Sequence, residues 1–101
     1  MEILINGKKH SPAKPKAKQW RELMEFDEIK SEIQFEKYVD SHIEIIVKSF
    51  NNPAVTVEAL QDNFEVDELI TIYRQLITYF CKLLSGKLDK IPNDPAATAA
   101  E

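Results

Sequence analysis

The sequence predicts a mainly α-helical protein, a small bundle of about four helices with a short β-hairpin at its N-terminus. The first observation is an apolar residue every three or four positions for about five turns between Asp62 and Ser85, the spacing of one helix face. The second is that 101 residues include only two glycines, which argues against an all-β fold. The third is an asparagine–glycine pair after three apolar residues, a hairpin signal. The length allows one modest core, so residues 1–90 are interpreted as a single helical domain.

The N-terminal segment 1–11 is predicted to form the hairpin. Its apolar residues Ile3 to Ile5 precede Asn6-Gly7, and both turn residues tolerate the positive φ that a type I′ turn requires. A two-stranded ribbon alone is marginally stable in water, so we expect it to pack on the helices or on another molecule. The two prolines of SPAKPK, residues 11–16, lack backbone donors and predict an extended link.

Two helices are predicted in the first half of the chain. Residues 16–27 place apolar side chains on one side, with Trp20 as the anchor, which we interpret as a core residue rather than a base-stacking one. Residues 28–50 carry apolar residues in near-heptad order, and Ser31 marks a point where this helix could be interrupted. The sequence Asn-Asn-Pro at 51–53 ends it, because an interior proline removes a backbone bond and clashes with the preceding turn.

The second half of the chain is predicted to hold a short helix at 56–62, capped by Thr56, and a long helix at 64–85. Asp62 and Glu65 have the spacing of a variant capping box at the start of the long helix. Gly86 follows the last apolar residues and is placed to end the helix in a left-handed conformation. Residues 91–101 contain two prolines and no apolar period, so we expect a disordered tail.

Charge is unevenly distributed along a chain whose net charge is −4. Residues 1–21 carry six basic side chains against one acidic one, whereas residues 22–68 carry thirteen acidic side chains against three lysines. Such a chain can pair its basic arm with the acidic body of another copy, or lay the arm on a polyanion. A sequence pI of about 5.2 disfavours the polyanion, because dedicated nucleic-acid binders are usually basic.

Enzymatic chemistry is not indicated by the residues. The sequence has no Gly-rich phosphate loop, no paired cysteines and no His/Glu spacing typical of metal ligands, so neither a cofactor nor a metal is predicted. His42 falls among apolar residues of a helix, where a half-buried structural histidine is commoner than a general base. The single Cys81 has no predicted base beside it and no partner for an internal disulfide, which favours a cytosolic protein. No run approaches the roughly 20 apolar residues that cross a bilayer.

The order of these elements resembles that of the tail assembly chaperones of long-tailed bacteriophages. The shared pattern begins with the strand and turn of MEILINGKKH, the short helix with Trp20 and the acidic central helix. The segment VTVEALQDNFEVDELITIYRQLITYFCKLL then supplies the short capped helix and the long apolar helix. The resemblance is one of architecture and pattern, covers about residues 1–88, and looks closest to the small chaperones of phages that infect Gram-positive hosts.

The resemblance implies a non-enzymatic protein of the host cytoplasm that is absent from the mature virion. Such proteins coat the long, helical, aggregation-prone tape measure protein before the tail tube polymerises around it. They tend to self-associate, and many have a longer form, made by ribosomal frameshifting, that recruits the tail tube protein. Gly86-Lys87 is a dipeptide that some slippery sites encode.

Two sets of residues are predicted to make these contacts. The long helix is apolar over more than half its circumference, so part of that surface is either core or left for another chain to cover. The residues predicted to bind the partner are Leu69, Ile72, Tyr73, Leu76, Tyr79 and Phe80. The residues predicted to contact the acidic helix of a neighbouring copy in a homo-oligomer are Lys8, Lys9, Lys14, Lys16 and Lys18.

Two other functions are compatible with the sequence. A small helical DNA-binding regulator could use the lysine-rich arm, but the short helix after the 51–53 turn is acidic where a recognition helix is normally basic. A generic adaptor or antitoxin-like protein could bind its partner through residues 91–101. A salt-dependent gel shift would favour the regulator, and loss of partner binding on removal of the tail would favour the adaptor.

Overall fold

The structure, a computed structural model, describes residues 1–89, with side chains through Gly86. Within this range the elements are β1 Ile3–Ile5, β2 Lys8–His10, α1 Ala17–Ile29, α2 Phe35–Phe50, α3 Val57–Asn63 and α4 Val66–Asp89. These elements confirm the predicted fold class, a mainly α bundle with an N-terminal hairpin. The predicted tail at 91–101, and with it the adaptor hypothesis, lies outside the described residues.

The hairpin forms at the predicted turn and packs on the helices. β1 and β2 are antiparallel with Ile3 opposite His10. Asn6 and Gly7 have φ values of 51° and 79°, the left-handed pair that a type I′ turn requires. Ile3 and Ile5 point the same way because strand side chains alternate, and both are buried beside α3. The ribbon is thus stabilised by the bundle rather than by its own short ladder.

The segment predicted as one helix over 28–50 is divided. A 3₁₀ turn at Lys30–Glu32, which contains Ser31, separates α1 from α2 and reverses the chain. α1 and α2 run antiparallel, so the start of α1 lies beside the end of α2. α2 ends at Asn51, which has a left-handed φ of 47° and donates its N–H to the Val47 carbonyl at 3.1 Å. A short polar residue tolerates that conformation better than most, which suits asparagine to this cap.

Two predicted helix ends are wrong. Asp62 is not part of a box that starts α4, because it lies inside α3; instead the Glu65 N–H donates to Glu68 Oε1 at 2.9 Å. Gly86 does not end α4 in a left-handed conformation, because α4 continues to Asp89 and Gly86 has no positive φ. The predicted Thr56 cap of α3 is confirmed by a 3.1 Å hydrogen bond that its Oγ1 accepts from the Ala59 N–H.

One core joins all the helices and the first strand. α2 and α4 make the most extensive helix–helix contact, α1 packs across α2, and α3 closes the end nearest β1. The buried apolar side chains are Ile3, Ile5, Leu23, Phe26, Ile43, Ile45, Ile46, Phe50, Val55, Leu60, Leu69, Ile72, Tyr73, Leu76 and Phe80.

Candidate functional site

An open apolar groove of about 410 Å³ lies where the start of α1 meets the C-terminal part of α4. The groove has a firm base, because Phe80 is only 1% exposed. Its walls remain accessible: Trp20 and Leu83 are half-buried, and Leu84 is 46% exposed. The residues that line this apolar groove are Lys14, Pro15, Lys16, Ala17, Trp20, Phe80, Leu83 and Leu84.

The extended link before α1 forms one wall of the apolar groove and is held in place by hydrogen bonds. The Ala13 N–H donates to the Phe50 carbonyl at 3.4 Å, which fixes the link to the end of α2. The Lys16 N–H donates to Gln19 Oε1 at 2.8 Å, and Gln19 Nε2 donates to the Lys48 carbonyl at 3.3 Å. Gln19 therefore caps the start of α1 and joins α1 to α2, so the link is held by hydrogen bonds to both helices.

The rim of the apolar groove is basic. Lys14 and Lys16 line it and are exposed, and Lys18 is exposed on the first turn of α1. Lys8 and Lys9 are also exposed but lie on β2 of the hairpin. The five lysines predicted for self-association are therefore all accessible, and they divide among β2, the extended link and α1 rather than forming a single arm.

A second cluster, the polar cluster of Asp27, Lys30, His42 and Tyr73, joins α1, α2 and α4. The Tyr73 hydroxyl donates to Asp27 Oδ1 at 2.8 Å, and Lys30 Nζ lies 2.8 Å from the same oxygen. The Lys30 ammonium also lies 5.1 Å from the centre of the Tyr73 ring. The His42 ring meets the Tyr73 ring edge-on at 4.7 Å between centroids. These contacts fix the relative positions of three helices.

The surroundings of His42 favour its neutral form. Its Nδ1 lies 2.8 Å from the Tyr38 carbonyl, which can only accept, so Nδ1 carries the proton. Nε2 is buried without a hydrogen-bond partner among the described residues. Burial lowers the pKa of His42, because the charged form would lose its hydration. The hydrogen bond from Lys30, reinforced by that from Tyr73, lowers the pKa of Asp27, whereas burial raises the pKa of Tyr73.

The histidine of the polar cluster is closed to solvent. His42 is 1% exposed, so a substrate could not reach its free nitrogen. Cys81 is exposed on α4 and is not part of the polar cluster. Among the described residues no group of three or more metal-ligating side chains could hold an ion, and no helix there is long and apolar enough to cross a membrane.

Comparison with protein families matches residues 1–90 to a family described as "Phage tail chaperone protein". The chain belongs to this family. No match is found among curated proteins or among solved structures. The family assigns the chaperone to phage tail assembly, and tail assembly takes place in the host cell. The apolar groove and the polar cluster are therefore features of a tail chaperone.

Five of the six residues predicted to bind a partner lie in the core of the chaperone: Leu69, Ile72, Tyr73, Leu76 and Phe80. They could meet a partner only if the bundle opened, apart from the edge of Phe80 that lines the apolar groove. Tyr79 is half-buried and faces a separate depression beside Met1. The structure therefore does not bring the six together as one surface of the closed chain.

Apart from Phe80, the apolar residues that line the groove were not among those predicted to bind a partner. Leu83 and Leu84 continue the apolar spacing of α4, and Trp20 was identified as an anchor of α1. The sequence signal that could have identified these residues is the apolar stripe of α4, which continues through Leu83 and Leu84 past the level at which α1 begins. Periodicity marks that stripe, but only the packing shows which part of it a neighbouring helix leaves uncovered.

Proposed function

We propose that this tail chaperone binds the tape measure protein of its phage and keeps it soluble until the tail tube forms. The observation that carries the proposal is the apolar groove with its basic rim. An amphipathic client helix could lay its apolar side chains on Trp20, Leu83 and Leu84, while acidic residues flanking its apolar face meet Lys14 and Lys16. Membership of the tail chaperone family supports a tail protein as the client.

The small size of the groove suits a long client protein to which many copies of the chaperone bind. A groove of about 410 Å³ takes only a few side chains, so each contact is individually weak. Many copies on one continuous helical client would supply avidity without a large interface on any one copy. Weak individual contacts would also let the polymerising tail tube displace the chaperone copy by copy.

The finer parts of this role rest on the family resemblance. They are a non-catalytic action in the host cytoplasm, absence from the mature virion, homo-oligomerisation, and contact with the tail tube protein through a longer frameshifted form.

The test is co-expression with the tape measure protein of the same phage, scored by solubility and co-purification. We expect the wild-type chaperone to keep that protein soluble and Leu84→Glu to lose this effect, because the substitution places a charge on the groove wall. The matched control is Val66→Ser, since Val66 is a comparably exposed apolar residue, at 58%, on the other end of α4. A Leu84→Glu variant that solubilises the client as well as wild type would refute the groove as the client site.

A further inference from the structure

One large side chain of the described residues stands almost completely in solvent. Phe35 is the first residue of α2 and is 96% exposed, whereas the other large exposed apolar residues are 42–58% exposed. Glu32 and Glu36 flank it and are themselves exposed. We call Phe35, Glu32 and Glu36 the acidic knob. An exposed aromatic ring with two carboxylates close to it in sequence has the composition of an anchor residue for a complementary pocket.

The apolar groove is complementary to the acidic knob in polarity and charge. Its floor and walls are aromatic and aliphatic, and its rim carries Lys14 and Lys16, so an inserted phenyl ring would bring two carboxylates towards two ammonium groups. The segment from Lys14 to Arg21 carries four basic side chains and no acidic one. The acidic knob has one exposed lysine nearby, Lys37, which weakens but does not reverse its charge.

The acidic knob cannot reach the groove of its own chain. Gln19, beside the groove, hydrogen-bonds to Lys48, so the groove lies at the level of the end of α2. Phe35 begins the same helix, and thirteen residues of helix separate the two levels by roughly 20 Å. The knob and the groove of one chain therefore lie too far apart for Phe35 to enter its own groove.

We propose that, before the client is present, the apolar groove of each copy holds Phe35 of a second copy of this chain. The proposal rests on the function proposed above, because the same groove would later receive the client helix. The neighbour's knob covers an apolar surface that would otherwise be exposed in the free protein. The client displaces the knob, so self-association regulates access to the client site.

The contact is heterologous, because one copy gives its knob and the other its groove. Such a contact builds an open row of copies unless its rotation closes a ring. This property separates the proposal from a symmetric contact between two knobs or two grooves, and it allows a complementation test with two different variants.

The experiment is sedimentation velocity on the purified full chain across a range of concentrations. We expect wild type to form assemblies larger than a dimer, and Phe35→Ser and Leu84→Glu each to weaken association roughly 10-fold or more, as loss of an anchor residue does. Val66→Ser is the matched control, because Val66 is also an exposed apolar residue at the first position of a helix. It should assemble like wild type. Unchanged circular dichroism would show that each variant remains folded.

The decisive arm mixes Phe35→Ser with Leu84→Glu. The first retains an intact groove and the second an intact knob, so an equimolar mixture should form a complex of two copies and nothing larger. A mixture that stays monomeric while wild type assembles would overturn the proposal. So would a wild type that remains monomeric up to about 1 mM, a concentration that detects even weak protein contacts.

The client assay separates failure of this inference from failure of the proposed function. Phe35→Ser should still keep the tape measure protein soluble, because its groove is intact and unoccupied. If Phe35→Ser assembles normally, the inference is wrong and the proposed function is untouched. If the two variants complement each other but Leu84→Glu still solubilises the client, self-association through the groove stands and the client binds elsewhere.

Discussion

Replacing Tyr73 with phenylalanine removes one hydroxyl from the polar cluster and leaves the core volume unchanged. The lost interaction is the 2.8 Å hydrogen bond to Asp27, and hydrogen bonds to charged groups contribute roughly 1.5–3 kcal/mol. The lower end applies, because the Asp27 side chain is 40% exposed and keeps its 2.8 Å contact with Lys30. We therefore expect Tyr73→Phe to lower the free energy of unfolding by about 1.5 kcal/mol. The melting temperature of a domain this size should fall by roughly 6–12 °C.

The assay is urea unfolding of Tyr73→Phe beside Tyr38→Phe. Tyr38 is a half-buried tyrosine whose hydroxyl makes no hydrogen bond to any described residue, so this variant carries the same chemical change without the lost contact. Tyr38→Phe should change stability by less than about 0.5 kcal/mol. A double-mutant cycle with Asp27→Asn should show that the two effects are coupled. The pKa of Asp27 should also rise towards its ordinary value in Tyr73→Phe, since one cause of its lowering is gone. Equal stability of the two tyrosine variants would show that the hydroxyl–carboxylate contact does not hold α4 to α1.

Three further predictions test other parts of the fold. Burial lowers the pKa of His42, so the unfolded chain binds a proton at this residue more tightly than the folded chain does. The free energy of unfolding should therefore fall as the pH drops below 6.5. His42→Phe should make the free energy of unfolding depend less on pH, as measured by urea unfolding at several pH values. Gly86→Ala should raise the free energy of unfolding by about 0.5–1 kcal/mol, and with it the melting temperature, because Gly86 is helical with open space at its Cβ. A lower melting temperature would instead indicate that Gly86 adopts a left-handed conformation that ends α4. Glu68→Ala should lower the free energy of unfolding by about 0.5–1 kcal/mol, because it removes the acceptor of the hydrogen bond from the Glu65 N–H. Asp62→Ala should lower it less, and thermal unfolding of both variants measures the difference.

The features that could be predicted are those set by neighbouring residues. Asn6-Gly7 specifies a turn because both positions must adopt positive φ, and Thr56 caps α3 with its own hydroxyl. The apolar spacing of α4 identified the long helix for the same reason, since a helix face repeats over a few residues. Ser31, the point where an interruption could fall, lies in the turn that divides α1 from α2.

The remaining features depend on packing between distant segments. Gly86 does not stop α4: its φ is not positive, and the helix continues to Asp89. Glu65 and Glu68 start α4, and the competing pair with Asp62 fails because α3 extends over Asp62. The apolar groove exists because α1 begins at Ala17 and does not cover Leu83 and Leu84. No local pattern encodes that offset between two helices far apart in sequence.

The contact between β1 and α3 affects the order in which the chain can fold during synthesis. Ile3 and Ile5 are synthesised well before Leu60. All three residues are buried in the core where β1 contacts α3. The hairpin can close early, but its apolar face stays without a partner until α3 has been translated. The N-terminal hairpin is therefore synthesised first but can be buried only after α3 has been synthesised.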